Sequence, residues 1–438
     1  MRRNLRVLFL LLVIMVLTAC YNMPGEPPIT APTLSALNES LSAPDQPLAK
    51  IPEEFPLEST LVPEPATQSQ AIDTPITLWH SFSDDRAQAL FEAVANYQEN
   101  QSVRVKLVYM PFDDLLESYR LAALSEDGPD LMIAPGEWGD NLFEEGLILD
   151  LSEYASDELI TRLNPVTLEI IKHNDAVVGI PFTIRGVVMY RNASILPVAP
   201  TDIDQLINMT RDATHGRFIG SYLDLGDVFS AAHLSACGGT WIDERGYPNF
   251  NNETGLCWFE ILKTFQNAGP VAIDSEDDFE RFASGNIGLI VDGTWKLDKL
   301  VDSLGNNLVI DPWPSYREKH LSGFVWADCI YMNPTISKQS QVNAWSLMEF
   351  LPGQQTQIML PEHGLIPTTI DSQIAIPHIQ QVIQAISMGT MYPSRKEIEF
   401  FWEPLNHAIR SVFEEGVDPA TALQAARNQI VVEIVENR

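Results

Sequence analysis

An abrupt change in composition at Ile76 sets what this chain can fold into. Before it, Tyr21–Pro75 carries eleven prolines, eight acidic residues, one lysine and only two aromatics, Tyr21 and Phe55. A segment so poor in apolar side chains cannot bury enough surface to offset its ordering entropy. It reads as a Pro-rich, partly extended linker over 21–75. Ahead of it, Arg2, Arg3 and Arg6 precede an unbroken apolar run of 11 residues from Val7 to Leu17. A spanning helix needs about 20 apolar residues. A basic start, a short apolar run and small residues before Cys20 therefore read as a secretory signal over 1–20.

The 363 residues from Ile76 to Arg438 exceed the roughly 250–300 beyond which one core splits into domains. A formal charge of −32 argues against nucleic acid, which needs a basic face. Besides Cys20 the chain holds Cys237, Cys257 and Cys329. In an oxidising compartment two of these can pair, and Cys237–Cys257 is the favoured pair; three buried free thiols is the other reading. No Gly-x-Ser-x-Gly or His-Glu-x-x-His motif occurs, and the eight histidines never fall at i, i+4. Neither a hydrolase elbow nor a metal site is expected. The pairs Asp84/Asp85 and Asp277/Asp278 read as helix starts rather than glycosidase acids, because adjacent helical residues do not face one ligand.

Strands and helices alternate in the folded part. Ile76–His80 reads as a strand, and Ser83 and Asp84 start a helix through Tyr97 with Leu90, Phe91, Val94 and Tyr97 on one face. Val103–Tyr109 alternates as a strand does, a helix covers Asp114–Leu124, and Asp130–Ala134 is a buried strand. This succession predicts an α/β fold with a mainly parallel sheet, whose ligands sit beyond the carboxyl ends of the strands. The loops Trp79–Ser83, with His80 and Ser81, and Pro135–Gly139 are the ones to inspect.

Specific motifs carry a resemblance. Leu17-Thr18-Ala19-Cys20 resembles the lipobox of bacterial lipoproteins, which makes Cys20 the lipidation site. Asp127–Met132, Gly179–Phe182 with Val187–Asn192, Phe282–Trp295, Gly364–Thr368 and Asp418–Leu423 together resemble extracellular solute-binding proteins of the maltose-binding-like, ABC-importer type. The resemblance implies a periplasmic-binding-protein type II-like fold with an interlobe cleft. Lobe 1 would be 76–186 plus 322–368, and lobe 2 would be 187–321 plus 369–438. It implies a monomeric, lipid-anchored receptor facing outward from the cell membrane. Such a receptor delivers a small solute, expected to be a sugar, to ABC permease subunits, without cofactor or catalysis. A secreted glycan hydrolase and a ligand-sensing subunit of a membrane signalling system are the alternatives.

Carried onto this chain, the cleft residues would be Trp295, Trp138, Glu137 and Trp402, with Trp326 and Asp328 on the returning strand. Trp295 follows an Asp292-Gly293 turn that comes directly after a strand. Flat indole faces suit the C–H faces of sugar rings, while carboxylates bind hydroxyls. Arg185 stands where the maltose-binding pattern has an acidic residue. It either grips an anionic solute through its fork or pairs with Glu137 or Asp140 across the cleft.

Overall fold

A computed structural model describes residues 75–125, 128–273, 275–371 and 373–437. The signal, Cys20, the linker as far as Thr74, and Asp127 lie outside the described residues. Among those described, no helix is long and apolar enough to cross a membrane.

The described residues open as a β-α-β-α-β unit. Strand β1 (Ile76–His80) pairs in parallel with β2 (Val105–Tyr109) and β3 (Leu131–Pro135). Between them run α1 (Asp84–Asn100) and α2 (Phe112–Ala122). Helix α1 buries Ala89, Leu90, Ala93, Val94 and Tyr97, as its 3.6 period requires. Phe91, expected on the same face, is instead half exposed, one step round the helix from Leu90. Ser83 holds the N-cap position of α1 but makes no side-chain cap bond. The α1 start is therefore not capped as its sequence suggests, and Asp84 has a left-handed φ of 50°.

The rest of the sheet is built around one long strand, β4 (Ile180–Asn192). With β5 (Leu289–Gly293), β6 (Leu308–Asp311) and β7 (Phe324–Met332), the strand order is β6-β4-β7-β3-β1-β2. The short strands β8 (Ile366–Pro367) and β9 (Thr390–Met391) pair with β4 and β7. These central pairings are largely antiparallel, unlike the mainly parallel sheet the sequence suggests. Up to Gly186, β4 bonds to β7 and β8; from Val187 it bonds to β5 and β6. One strand thus passes from one set of partners to another.

Three apolar clusters form the core of the described residues. One packs α1 and the helix Lys338–Phe350 on β1, β3 and β7, through Leu90, Tyr97, Ile133, Ile330 and Leu347. Another joins α3 (Glu253–Ala268), α5 (Trp402–Phe413) and α6 (Pro419–Glu436) to β5, through Trp258, Phe259, Ile409, Leu423 and Val291. The third lies between, drawing on Met132 and Leu142 as well as Ile290, Leu300 and Ile310. Leu300 belongs to α4 (Leu297–Leu304). Cys237 and Cys257 form a disulfide with Cα atoms 6.0 Å apart, tying a 3-10 turn to α3. Cys329 is a buried free thiol.

Candidate solute cleft

Two cavities are candidates, the first of them beside the β4 crossing. The first, of about 310 Å³, is lined by the start of α1, by Thr183–Arg185 of β4, by Thr294, Trp295 and Asp298, by Asp328 of β7, and by His363–Ile366. The second, of about 510 Å³, is lined by Phe112, Glu137, Trp138, Asn141, Tyr392 and Glu399 among others. Both lie at the carboxyl ends of strands: β1 and β5 feed the first, β2 and β3 the second.

An aromatic row joins them. Trp295 meets Trp326 edge-on at 6.2 Å, Trp326 meets Tyr392 at 5.3 Å, and Tyr392 meets Trp402 at 5.6 Å. Trp295 is 48% exposed, although indoles are usually well covered, and its ring borders the first cavity. The backbone explains its pose. A Cβ at Gly293 would lie 2.0 Å from Trp295 Cε2, so only glycine lets the ring fold back over the strand end. Thr294 Oγ1 accepts from the Gly186 N–H at 3.2 Å, and Tyr190 donates to the Gly293 carbonyl at 3.1 Å. The turn is thereby clamped to the crossing strand.

Trp402 sits deeper. Its Nε1 donates to the Tyr392 hydroxyl, and Phe324 and Trp241 pack at 5.7 and 6.4 Å. It serves the aromatic row as a backing member. Trp138 packs on the half-exposed Phe112 at 5.6 Å and lines the second cavity with Glu137.

The charged residues correct several expectations. Arg185 pairs with neither Glu137 nor Asp140; its partner is Asp328, 3.2 Å away on the neighbouring strand. Asp140 instead bonds His173 Nδ1 at 3.0 Å and accepts from Ser394 Oγ. His80 is buried, its ring edge-on to Phe82, Phe91 and Tyr109, and its Nδ1 accepts from the Phe82 N–H. It is a packing residue, and neither it nor the partly buried Ser81 lines either cavity. Asp84 and Asp85, read from sequence as a helix start, also line the first cavity.

Arg86, Asp298 and Tyr392 escaped the sequence reading. Arg86 had a usable signal, since it lies in the first turn of the helix that follows β1; Tyr392 and Asp298 had none.

Burial pushes the Glu137 carboxyl up to about 7, with Arg185 pulling it down and the Asp328 and Glu399 charges pushing it further up. Asp278 and Asp292 are raised to about 7 and about 6, also chiefly by burial. For carboxyls raised on folding, the stability contribution is full below the unfolded value and is lost as pH rises through the folded value. The denaturation midpoint should therefore fall between about pH 4.5 and about pH 7. Glu137→Gln should flatten this fall by about 1 kcal/mol, after allowing for screening at a partly exposed carboxylate. Urea titrations of both chains at pH 5 and pH 8 check this; parallel pH profiles would count against it.

Among the described residues no group of His, Cys, Asp and Glu could hold a metal ion.

Comparison with known proteins places this arrangement. A family described as bacterial extracellular solute-binding protein matches residues 92–381. The maltotriose-binding protein of Pyrococcus abyssi is 24% identical over 246 residues, covering 55% of this chain and 53% of the relative. The chain thus spans about half the length of that relative. The galactooligosaccharide-binding protein of Bacillus subtilis is 20% identical over 384 residues, covering 82% and 90%. Among solved structures, a cyclo/maltodextrin-binding protein complexed with maltotetraose superposes with a TM-score of 0.72 at 19% identity, covering 82% of this chain and 98% of that one. An extracellular solute-binding protein from Staphylococcus aureus in complex with maltose gives 0.73 at 19% identity, covering 83% and 99%. A mixed α/β fold organised around a crossing strand, and a profile match over most of the folded part, lead to one conclusion: the chain belongs to the bacterial extracellular solute-binding protein family.

Proposed function

We propose that this protein is an outward-facing receptor that binds an oligosaccharide between two lobes and passes it to the membrane subunits of an ABC importer. The observation that carries the reading is the aromatic row from Trp295 to Trp402, which runs between two cavities edged by carboxylates and guanidinia. Aromatic faces bury the C–H faces of sugar rings, and ionised groups make the stronger hydrogen bonds to their hydroxyls. Named relatives that bind maltotriose and galactooligosaccharide support the same class of solute.

The lobes would be 76–186 plus 322–368 and 187–321 plus 369–438, with the partner change at Gly186–Val187 as a hinge point. Closure of such lobes turns binding into a shape that a permease can read. Cys20 would carry the lipid and 21–75 would be the tether. Binding without turnover is expected, in keeping with a family of binding proteins.

A thermal-shift screen of neutral, basic and acidic oligosaccharides tests the reading. A ligand at 100 times its Kd adds about 2.7 kcal/mol, so a bound sugar should raise the midpoint clearly and be recovered unaltered. No shift with any sugar, or recovery of cleaved product, would overturn it.

A further inference from the structure

Asp328 is expected from sequence to touch the solute, yet its side chain is buried and its oxygens are taken by the protein. Oδ2 accepts from Arg86 Nη2 at 2.6 Å and from Thr183 Oγ1 at 3.0 Å. Arg185 Nη1 lies 3.2 Å from both Oδ1 and Oδ2. Two guanidinia from different elements, α1 and β4, therefore share one carboxylate. Burial pushes this carboxyl up, but Arg185 and Arg86 together bring it below the ordinary value, so it stays ionised.

What the cavity receives is the arginines' remaining N–H groups. A guanidinium has five donors in a fixed fork, and neither arginine spends all of them on Asp328. Arg86 Nε is buried with no partner in the protein and is not among the donors offered, but the side chain as a whole is 41% exposed. The side chain of Arg86 is held further by stacking on Phe82 at 4.2 Å. Around these donors the first cavity carries four carboxylates, on Asp84, Asp85, Asp298 and Asp328, against two guanidinia, a formal balance of −2 with His363 left out of the count. An unpaired arginine would grip a carboxylate bidentately; here each arginine gives one nitrogen to Asp328, which supplies the counter-charge for both.

We propose that Asp328 is a positioning and charge-selecting residue. It fixes Arg86 and Arg185 as hydrogen-bond donors to the hydroxyl and ring oxygens of a neutral saccharide, and it offsets their charge so that acidic sugars are rejected. This inference rests on the carbohydrate reading above.

Calorimetric titration of the parent and of Asp328→Asn tests it, with maltotriose and galactotriose as neutral probes and trigalacturonate as the acidic one. The parent should bind a neutral probe at least about 100-fold more tightly than the acidic one. Asp328→Asn should weaken neutral binding by about tenfold or more, as mispositioned donors do. It should also shrink the neutral-to-acidic ratio by about tenfold, because one carboxylate charge is gone. A structural defect alone would lower both affinities and leave the ratio unchanged.

Should Asp328→Asn fail to fold, Arg86→Gln decides: removing a cation while keeping Asp328 should widen the ratio, and an unchanged or narrower ratio overturns the proposal. A parent that prefers trigalacturonate, or neutral binding whose ratio does not move in the variant, overturns this proposal alone. A parent that binds none of the three, with no hit in the wider sugar screen, overturns the carbohydrate reading and this one with it.

Discussion

Arg191→Ala is expected to cost about 3–5 kcal/mol of stability while changing solute affinity less than about threefold. Arg191 lies on the second half of β4, buried, with Nε 2.5 Å from Asp311 Oδ2 and Nη2 3.0 Å from Oδ1. Its Nη1 donates to the Leu196 carbonyl at 2.6 Å. The pair bridges β4 to β6, where Arg191 and Val309 are register partners. Removing the arginine leaves a buried carboxylate without its counter-charge, which costs far more than the pair itself contributes. Neither residue lines a cavity of the cleft, so binding measured well below the melting range should survive.

A companion variant separates the two effects. Arg191→Met combined with Asp311→Leu removes both charges and fills much of the space, so it should recover most of the loss. Chemical denaturation of the three chains reads this directly. A loss below about 1 kcal/mol in Arg191→Ala would mean that water or a neighbour satisfies Asp311, against its burial here.

What the sequence made legible was local. β1 follows its β-rich run, β2 begins at Val105 rather than Val103, and α2 begins at Phe112 rather than Asp114 because Pro111 supplies the entry. The position of Trp295 near a strand end was legible too, but Asp292 and Gly293, expected as a turn, finish β5, and the turn begins at Thr294. His80 illustrates a signal that was present and points inward: the alternation that buries Ile76 and Leu78 buries His80 with them.

The ion triad was not legible. Arg185 lies 143 positions from Asp328 and Arg86 lies 242 positions from it. No spacing rule links them until β4 and β7 pair in register, which sets Arg185 opposite Trp326 and Thr183 opposite Asp328. Tyr392 depends likewise on β9 reaching β7. Charge pairing between elements so far apart in the chain is a property of the completed topology. Propensity and period could not supply it.

Trp295→Ala should lower affinity for the bound sugar by about 10- to 100-fold, or about 1.4–2.8 kcal/mol. The ring offers its exposed half to the first cavity, and a stacked sugar would cover it. Burying that face is worth several kcal/mol gross, of which ordering and association costs remove the larger part. Stability without solute should change by less than about 1.5 kcal/mol, well under the 3–5 kcal/mol of truncating a buried tryptophan. The difference follows from what holds the turn. The Thr294 hydroxyl and the Gly293 carbonyl carry its anchors to β4, and both remain when the indole goes. The edge contact with Trp326 is the main packing forfeited. Titration calorimetry and urea denaturation on the same preparation give both numbers. A large stability loss with affinity intact would make Trp295 a packing residue, and the aromatic row would then lose the member that opens it to a solute.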